Sequence, residues 1–369
     1  MPNTHPQTNP KNIGKRLLTW YHANKRDMPW RHTKDPYCIL LSEFMLQQTQ
    51  VDTVIPYYHR FLEAFPTVHH LARAPQDKIL KAWEGLGYYA RARNLHKAAQ
   101  AISQQFDGTV PNTYDTLKSL PGFGPYTTAA VLSIAYNKDH AVLDGNVMRV
   151  LTRLFNIHGD VTQNTVKKHL WELAESLLPK GHAGDYNQAV MELGATLCTP
   201  KNPNCSACPL AKSCEGYQAN THETLPVKTK KKPRPHHTLG AGIVWHQNKV
   251  LITQRPQNGL LGGLWEFPAG TQQPHETLQE TCIRGIKATV GIDIQIQDRF
   301  RTVKHAFTHF SITVHAFQCQ YTKGKTQTLA CDAHAWVSLK ELSDYAFSRT
   351  SRKLADMLQQ NVQHDLFSQ

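Results

Sequence analysis

The chain has 369 residues, 40% of them apolar, and a formal net charge of +13. That length exceeds what one core usually fills, so two domains are expected, and the apolar content lies well above the disordered range. No apolar run reaches membrane-spanning length, and the positive charge favours a polyanion, nucleic acid before anionic lipid, because no basic amphipathic stretch accompanies it.

Residues 1–12 are rich in Asn, Pro and Thr and lack the apolar stretch of a secretory signal, so a short disordered tail is expected. From Ile13 to about Leu197 the pattern is helical, and with the cysteine-rich stretch that follows it makes one all-helical domain over residues 13–220. Val51, Val54, Ile55, Tyr58, Phe61, Leu62 and Phe65 recur at the three- and four-residue steps of one buried helix face. Prolines at 66, 75, 111, 121 and 179 punctuate the helices. Leu120 to Val131, LPGFGPYTTAAV, places Gly122 and Gly124 on either side of Phe123. Glycines so spaced allow a tight turn, Pro125 suits a first helical position, and the free amides of such a helix start would bind a phosphate oxygen without reading sequence. An ordinary helix connection is the plainer reading of Gly-x-Gly alone.

Cys198, Cys205, Cys208 and Cys214 lie within one Pro-rich stretch, LCTPKNPNCSACPLAKSC. Four thiolates in a short loop can surround one metal centre, either zinc or an iron–sulfur cluster. Zinc usually takes two short Cys-x2–4-Cys knuckles, and only one is present. Cys38, Cys282, Cys319 and Cys331 are scattered and read as small buried residues.

Residues 221–237, THETLPVKTKKKPRPHH, are nearly free of apolar side chains and read as a basic, semi-rigid linker. Residues 238–369 then switch to strand periods. Strands are expected over 241–245 and 249–253, joined by a hairpin at His246–Asn248, and again over 264–267, 293–296 and 310–318; helices are expected over 276–290 and 349–359. The second domain is therefore α+β.

Taken in order, these strings carry a resemblance. LPGFGPYTTAAV resembles the helix–hairpin–helix of the endonuclease-III-like DNA glycosylases, with an acidic residue some twenty positions later, here Asp144 in LDGNVMRVLTRL, and the cysteine spacing is similar to that superfamily's [4Fe–4S] loop. Leu41 to Val51, LSEFMLQQTQV, together with Met28-Pro29-Trp30-Arg31 and WEGLGYYARARN at 83–94, is similar to adenine DNA glycosylases of the MutY type. The fold class implied is multi-domain: an all-α helix–hairpin–helix glycosylase domain with an iron–sulfur loop, plus an α+β Nudix-like C-terminal domain. The likeness runs from about Ile13 to the C-terminal helix.

The same resemblance implies roles. Glu43 would act as general acid and base, Asp144 would stabilise the oxocarbenium ion or attack it, and Tyr126 and Asn146 would orient Asp144 and the sugar. Trp30, Arg31, Leu46 and Gln188 would line an adenine pocket. Gln48 and Tyr88 would wedge into the duplex, and Gly122, Phe123 and Gly124 would touch its backbone. A strand-cleaving relative carries a lysine where this chain has Tyr126, so no Schiff-base route is available. Breaking a glycosidic bond needs two carboxyl groups in different protonation states. A free Glu titrates near ~4.3, so Glu43 must be desolvated to hold a proton.

In the second domain the Nudix pattern aligns to Gly270, Glu276 and Arg284, but Gly285, Ala288 and Thr289 stand where active enzymes have glutamates. Without that cluster Mg2+ has no site and pyrophosphate hydrolysis should fail. What remains resembles the 8-oxoguanine-recognition domain of the same family, with Phe307-Thr308-His309 in place of its Phe-Ser-His loop. The expected substrate is duplex DNA with adenine opposite 8-oxoguanine or guanine, acted on by a monomer in the cytoplasm, at the nucleoid in a bacterium. Rival readings are an endonuclease-III-like pyrimidine or mismatch glycosylase, a catalytically inactive DNA-binding protein, and a nucleotide pyrophosphohydrolase.

Overall fold

The computed structural model describes residues 10–229 and 233–366. The chain forms two compact units, one of residues 1–72 with 97–231 and one of residues 73–96 with 232–369. Among the described residues no helix is long and apolar enough to cross a membrane.

Helices run along the chain as α1 (Pro10–Asn24), α2 (Pro36–Leu46), α3 (Val51–Ala64), α4 (Val68–Arg73), α5 (Gln76–Ala82), α6 (Ala90–Gln105), α7 (Tyr114–Lys118), α8 (Pro125–Tyr136), α9 (Gly145–Leu154), α10 (Asn164–Leu177), α11 (Ala183–Thr196) and α12 (Glu215–Gln218). In the first unit α2 and α8 are apolar on nearly every face and form the centre, with α8 packed against both α2 and α11. Local chemistry sets where they begin. The Asp35 carboxylate accepts from Tyr37 N at 2.8 Å ahead of α2, Pro36 and Pro125 occupy first-turn positions, and Asn137 ends α8 in the left-handed region at φ 51°. The expected helix over 51–65 is α3, which buries Val54, Tyr58 and Phe61.

Two expectations differ here. The tail assigned to residues 1–12 lies outside the described residues up to residue 9, but Pro10–Asn12 already belong to α1. The linker assigned to 221–237 is anchored over its first half. Leu225 is buried, its carbonyl accepts from Arg153 Nε at 3.1 Å, and Val227 O accepts from Val161 N at 3.1 Å. With the further bonds of Thr221 to Asn156 and Thr229 N to Asp160, these contacts hold a segment whose composition reads as solvated. Lys230–Lys232 lie outside the described residues.

The second unit is built on a seven-stranded mixed sheet. Its strands are β1 (His236–His246), β2 (Lys249–Gln254), β3 (Trp265–Glu266), β4 (Ala269–Thr271), β5 (Asp293–Ala306), β6 (Ser311–Lys323) and β7 (Ala333–Val337), and its C-terminal helices are α13 (Leu278–Val290) and α14 (Arg349–Leu366). The order is β3-β2-β1-β6-β5, with β4 on β1 and β7 on β2; β1 and β6 run parallel and the other pairs antiparallel. Gln247 and Asn248, both at positive φ, make the β1–β2 turn. Alternating β-residues serve two cores: Ile243 and Val250 join Leu354 and Leu358 of α14, while Val244 and Leu251 join Cys282 and Ile286 of α13.

Residues 73–96, expected within the first domain, fold with this sheet. Asp77 accepts from Gln254 at 2.9 Å, Arg93 donates to Gly262 O at 2.8 Å, and Glu84 binds Phe347 N at 3.0 Å and Arg352 at 2.8 Å. A part-buried ion pair between residues 268 positions apart leaves no local pattern in the sequence.

Candidate active site and iron–sulfur loop

A cavity of about 490 Å³ opens in the first unit, lined by residues of α2, α8, α11 and the Met28–Arg31 turn. Glu43 reaches it from the middle of α2 with 4% of its surface exposed. Burial among apolar neighbours, reinforced by the nearby Asp144 charge, pushes its pKa up to about 7, against the opposing pull of the Tyr126 hydroxyl. That hydroxyl donates to Glu43 Oε2 at 3.0 Å and also lies 3.3 Å from Met191 Sδ. The expectation gave Tyr126 to Asp144; the hydrogen bond instead goes to Glu43.

Asp144 caps α9. One carboxylate oxygen accepts from Val147 N at 2.7 Å and the other from Asn146 Nδ2 at 2.9 Å. Burial raises its pKa, while those two donors and the Arg149 guanidinium favour the anion, as does its place at a helix N-terminus. Asn146 is itself held by Arg149, whose Nη2 donates to Asn146 Oδ1 at 2.8 Å and to Gly194 O at 2.6 Å. A Cβ on Gly194 would stand 2.7 Å from Asn146 Cβ, so only glycine lets α11 approach α9 this closely.

Trp30, Arg31, Leu46 and Gln188 all line the same cavity. Trp30 is buried edge-on against Tyr58 at 5.5 Å. The residues that sequence reasoning missed are Arg26, Met191 and Glu192. Gln188, Met191, Glu192 and Ala195 fall at helical spacing on one face of α11, a signal that could have drawn them in beside Gln188.

The hairpin before α8 turns at Gly122, φ 83°, while Gly124 is extended and caps the helix. Phe123 is not at the surface. It is buried edge-on against Phe44 at 5.6 Å, so the hairpin offers a nucleic acid its backbone and not this side chain. Gln48, exposed at φ 58°, is one of the few non-glycine residues in the left-handed region, a strain that concentrates at functional positions.

In the second unit Tyr88 is also left-handed, φ 48°, and 46% exposed. Its hydroxyl lies 2.6 Å from Thr308 Oγ1. Thr308 sits in a tight turn closed by Phe307 N donating to Phe310 O at 2.8 Å, with the Phe307 and Phe310 rings stacked 4.6 Å apart and His309 exposed. The degenerate Nudix helix lines an open hollow of about 750 Å³. There Glu276 is engaged by Arg284 at 2.6 Å and by Gln273 N and Thr281, which hold its carboxyl near about 2. A side chain at Gly285 would strike Gly270 N at 2.3 Å, so α13 has closed over the place where a glutamate would stand.

Cys198, Cys205, Cys208 and Cys214 are all free, half-buried thiols on a run of tight turns. Burial raises Cys205, Cys208 and Cys214, and each feels the charges of its fellow cysteines, so the four stand as electrostatic neighbours. Arg153 Nη1 lies 3.4 Å from Cys198 Sγ, and Arg149 Nε donates to Cys198 O at 2.7 Å. No three of the described His, Cys, Asp or Glu side chains converge on one ion; a cubane, which takes one thiolate at each iron corner, needs no such convergence. The donor set fits a [4Fe–4S] cluster, which Cys198, Cys205, Cys208 and Cys214 would hold and which would clamp this loop when bound.

A helix–hairpin–helix fold with two carboxyl groups in one base-sized cavity defines a base-excision DNA glycosylase, a hydrolase of N-glycosyl bonds. Family comparison agrees with the geometry. Residues 41–176 match the HhH-GPD superfamily base excision DNA repair protein, residues 198–214 the iron-sulfur binding domain of endonuclease III, and residues 240–357 the NUDIX domain. The chain is 35% identical to the adenine DNA glycosylase of Mus musculus over 94% of its own length and 78% of the relative's, and 34% identical to that of Homo sapiens over 92% and 72%. It is 32% identical to the adenine DNA glycosylase of Buchnera aphidicola from Schizaphis graminum, over 92% and 97%. Among solved structures, a thermostable thymine-DNA glycosylase superposes with a TM-score of 0.52 at 33% identity, covering 57% of this chain and 97% of that one. A trapped endonuclease III–DNA covalent intermediate gives 0.50 at 21%, covering 58% and 99%, a likeness of fold. The chain belongs to the adenine DNA glycosylase family.

Proposed function

We propose that the protein binds duplex DNA, extrudes an adenine paired with 8-oxoguanine or guanine, and releases it by hydrolysis without cleaving the strand. The observation that carries this reading is the buried, proton-holding Glu43 under the Tyr126 hydroxyl, in the same cavity as Asp144. Glu43 donates its proton to N7 of the base, the bond from C1′ to N9 breaks with its electron pair passing to the base, and Asp144 stabilises the cationic sugar. Water then adds at C1′, and Glu43 recovers the proton it gives up. Asn146 holds Asp144, and Trp30, Arg31, Leu46 and Gln188 hold the base. With no amine at position 126 there is no imine and no strand cleavage.

Gln48 and Tyr88 each wedge into the duplex, and the backbone of the 122–124 hairpin takes a phosphate. Phe307, Thr308 and His309 read the oxidised guanine, with threonine keeping the hydroxyl of the family's serine. The helical part with its cluster performs the chemistry and the Nudix-like part performs recognition, in a monomer working in the cytoplasm at the chromosome. The test is a duplex with adenine opposite 8-oxoguanine. Free adenine should appear while the strand stays intact until alkali is added; spontaneous breakage, or release of a pyrimidine instead, would overturn the reading.

A further inference from the structure

Glu192 holds an unusual place in the cavity. Its side chain is 1% exposed, and its oxygens collect four donors from the opposite wall. Oε1 accepts from Arg26 N at 3.0 Å and Arg26 Nε at 2.7 Å; Oε2 accepts from Arg26 Nη2 at 3.0 Å and Arg31 Nη2 at 3.0 Å. Arg31 also donates Nη1 to Arg26 O at 2.8 Å and lies over the Tyr21 ring at 5.3 Å. Its Nε is buried without a hydrogen-bond partner. Arg31 thus uses its terminal donors to fix its own position on the lining of the cavity.

A buried carboxylate is unfavourable unless it is fully bonded and paired, and an apolar side chain would hold α11 in its core equally well. The arrangement sets two cations on one buried anion, with Asp52 a further carboxylate of the cavity lining that acts on Arg26. We propose that Glu192 is a positioning residue for base recognition, fixing Arg31 so that its guanidinium meets the extruded base. The inference rests on reading this cavity as the adenine pocket.

The bond pattern makes the proposal specific. Glu192→Gln keeps the shape but offers one acceptor oxygen and turns an amide donor toward its neighbours. Arg26 makes three of the four bonds and keeps the oxygen, so Arg31 is the partner released.

The experiment uses the full-length, cluster-loaded protein as wild type, Arg31→Ala, Glu192→Gln and the double variant. Single-turnover adenine release should slow about tenfold in each single variant, and the double should be no slower than Arg31→Ala alone. Labelling with an arginine-specific dicarbonyl, mapped by peptide mass spectrometry, should leave Arg31 protected in the wild type and modify it several-fold faster in Glu192→Gln. Losses that multiply in the double variant, or unchanged Arg31 labelling, would overturn the proposal. A wild type that releases no adenine would instead remove the adenine reading, while the labelling still decides whether Glu192 clamps Arg31.

Discussion

Glu43 and Glu276 show how far environment governs one side chain. Glu43 is enclosed by α2 and α8 with a single hydroxyl donor, and burial lifts its pKa to about 7. Glu276 faces an open hollow, bonded to Arg284, Thr281 and a backbone amide, and falls to about 2. At neutral pH the first is poised between acid and carboxylate, and the second is an anion tied into a structural bridge. Each unit therefore keeps a glutamate within its family's signature, yet only the first has the surroundings for chemistry.

The largest effect expected on that contrast is from Glu43→Gln, which should lower single-turnover release by about 10²–10⁴-fold, the usual share of a general acid. The same variant should gain stability. The folded pKa of about 7 exceeds the ordinary 4.5, so stability falls as pH rises between those values, and the glutamine escapes that loss. Thermal unfolding should show the variant favoured by up to about 3 kcal/mol above pH 7 and by little below pH ~4.5. Asp144→Asn should come next, with release slowed by about 10²–10³-fold as the anion beside the sugar is lost.

Gly194→Ala should slow release by roughly tenfold although position 194 does not itself line the cavity, because the new methyl displaces Asn146 from Asp144. Phe307→Ala combined with His309→Ala should leave the chemistry intact and reduce the preference for adenine opposite 8-oxoguanine over guanine by about tenfold, measured as a ratio of rates. Glu276→Gln should have the smallest effect. Release should be unchanged, and urea unfolding should show a slight loss at neutral pH that vanishes as acid approaches pH 2, where the native carboxylate is protonated too. A large loss of excision in Glu276→Gln would break the contrast between the units.

Much of this was legible in the sequence because its carriers are contiguous strings. The cysteine loop, LPGFGPYTTAAV and LSEFMLQQTQV each occupy one short contiguous stretch of chain, so their chemistry can be read without knowing the packing. What was not legible depends on long-range contacts. Residues 73–96 join the C-terminal sheet through pairs such as Glu84 with Arg352. The short strands β4 and β7 exist only because β1 and β2 offer them edges. Phe123, expected to face DNA, is buried because Phe44 lies opposite it. Glu192 was hidden for the same reason, since its importance comes from two arginines more than 160 residues away. The Nudix defect was visible as missing glutamates, but not the closure of α13 onto Gly270 that leaves position 285 no room for one.

The central claim is that Glu43 carries the catalytic proton because burial holds it there. The most direct measurement is the single-turnover rate of adenine release across pH 5 to 9. The rate should fall as pH rises through about 7, and the residual activity of Glu43→Gln should lack that limb. A wild-type profile that is flat through neutrality and breaks only near the ordinary carboxylate range would contradict it.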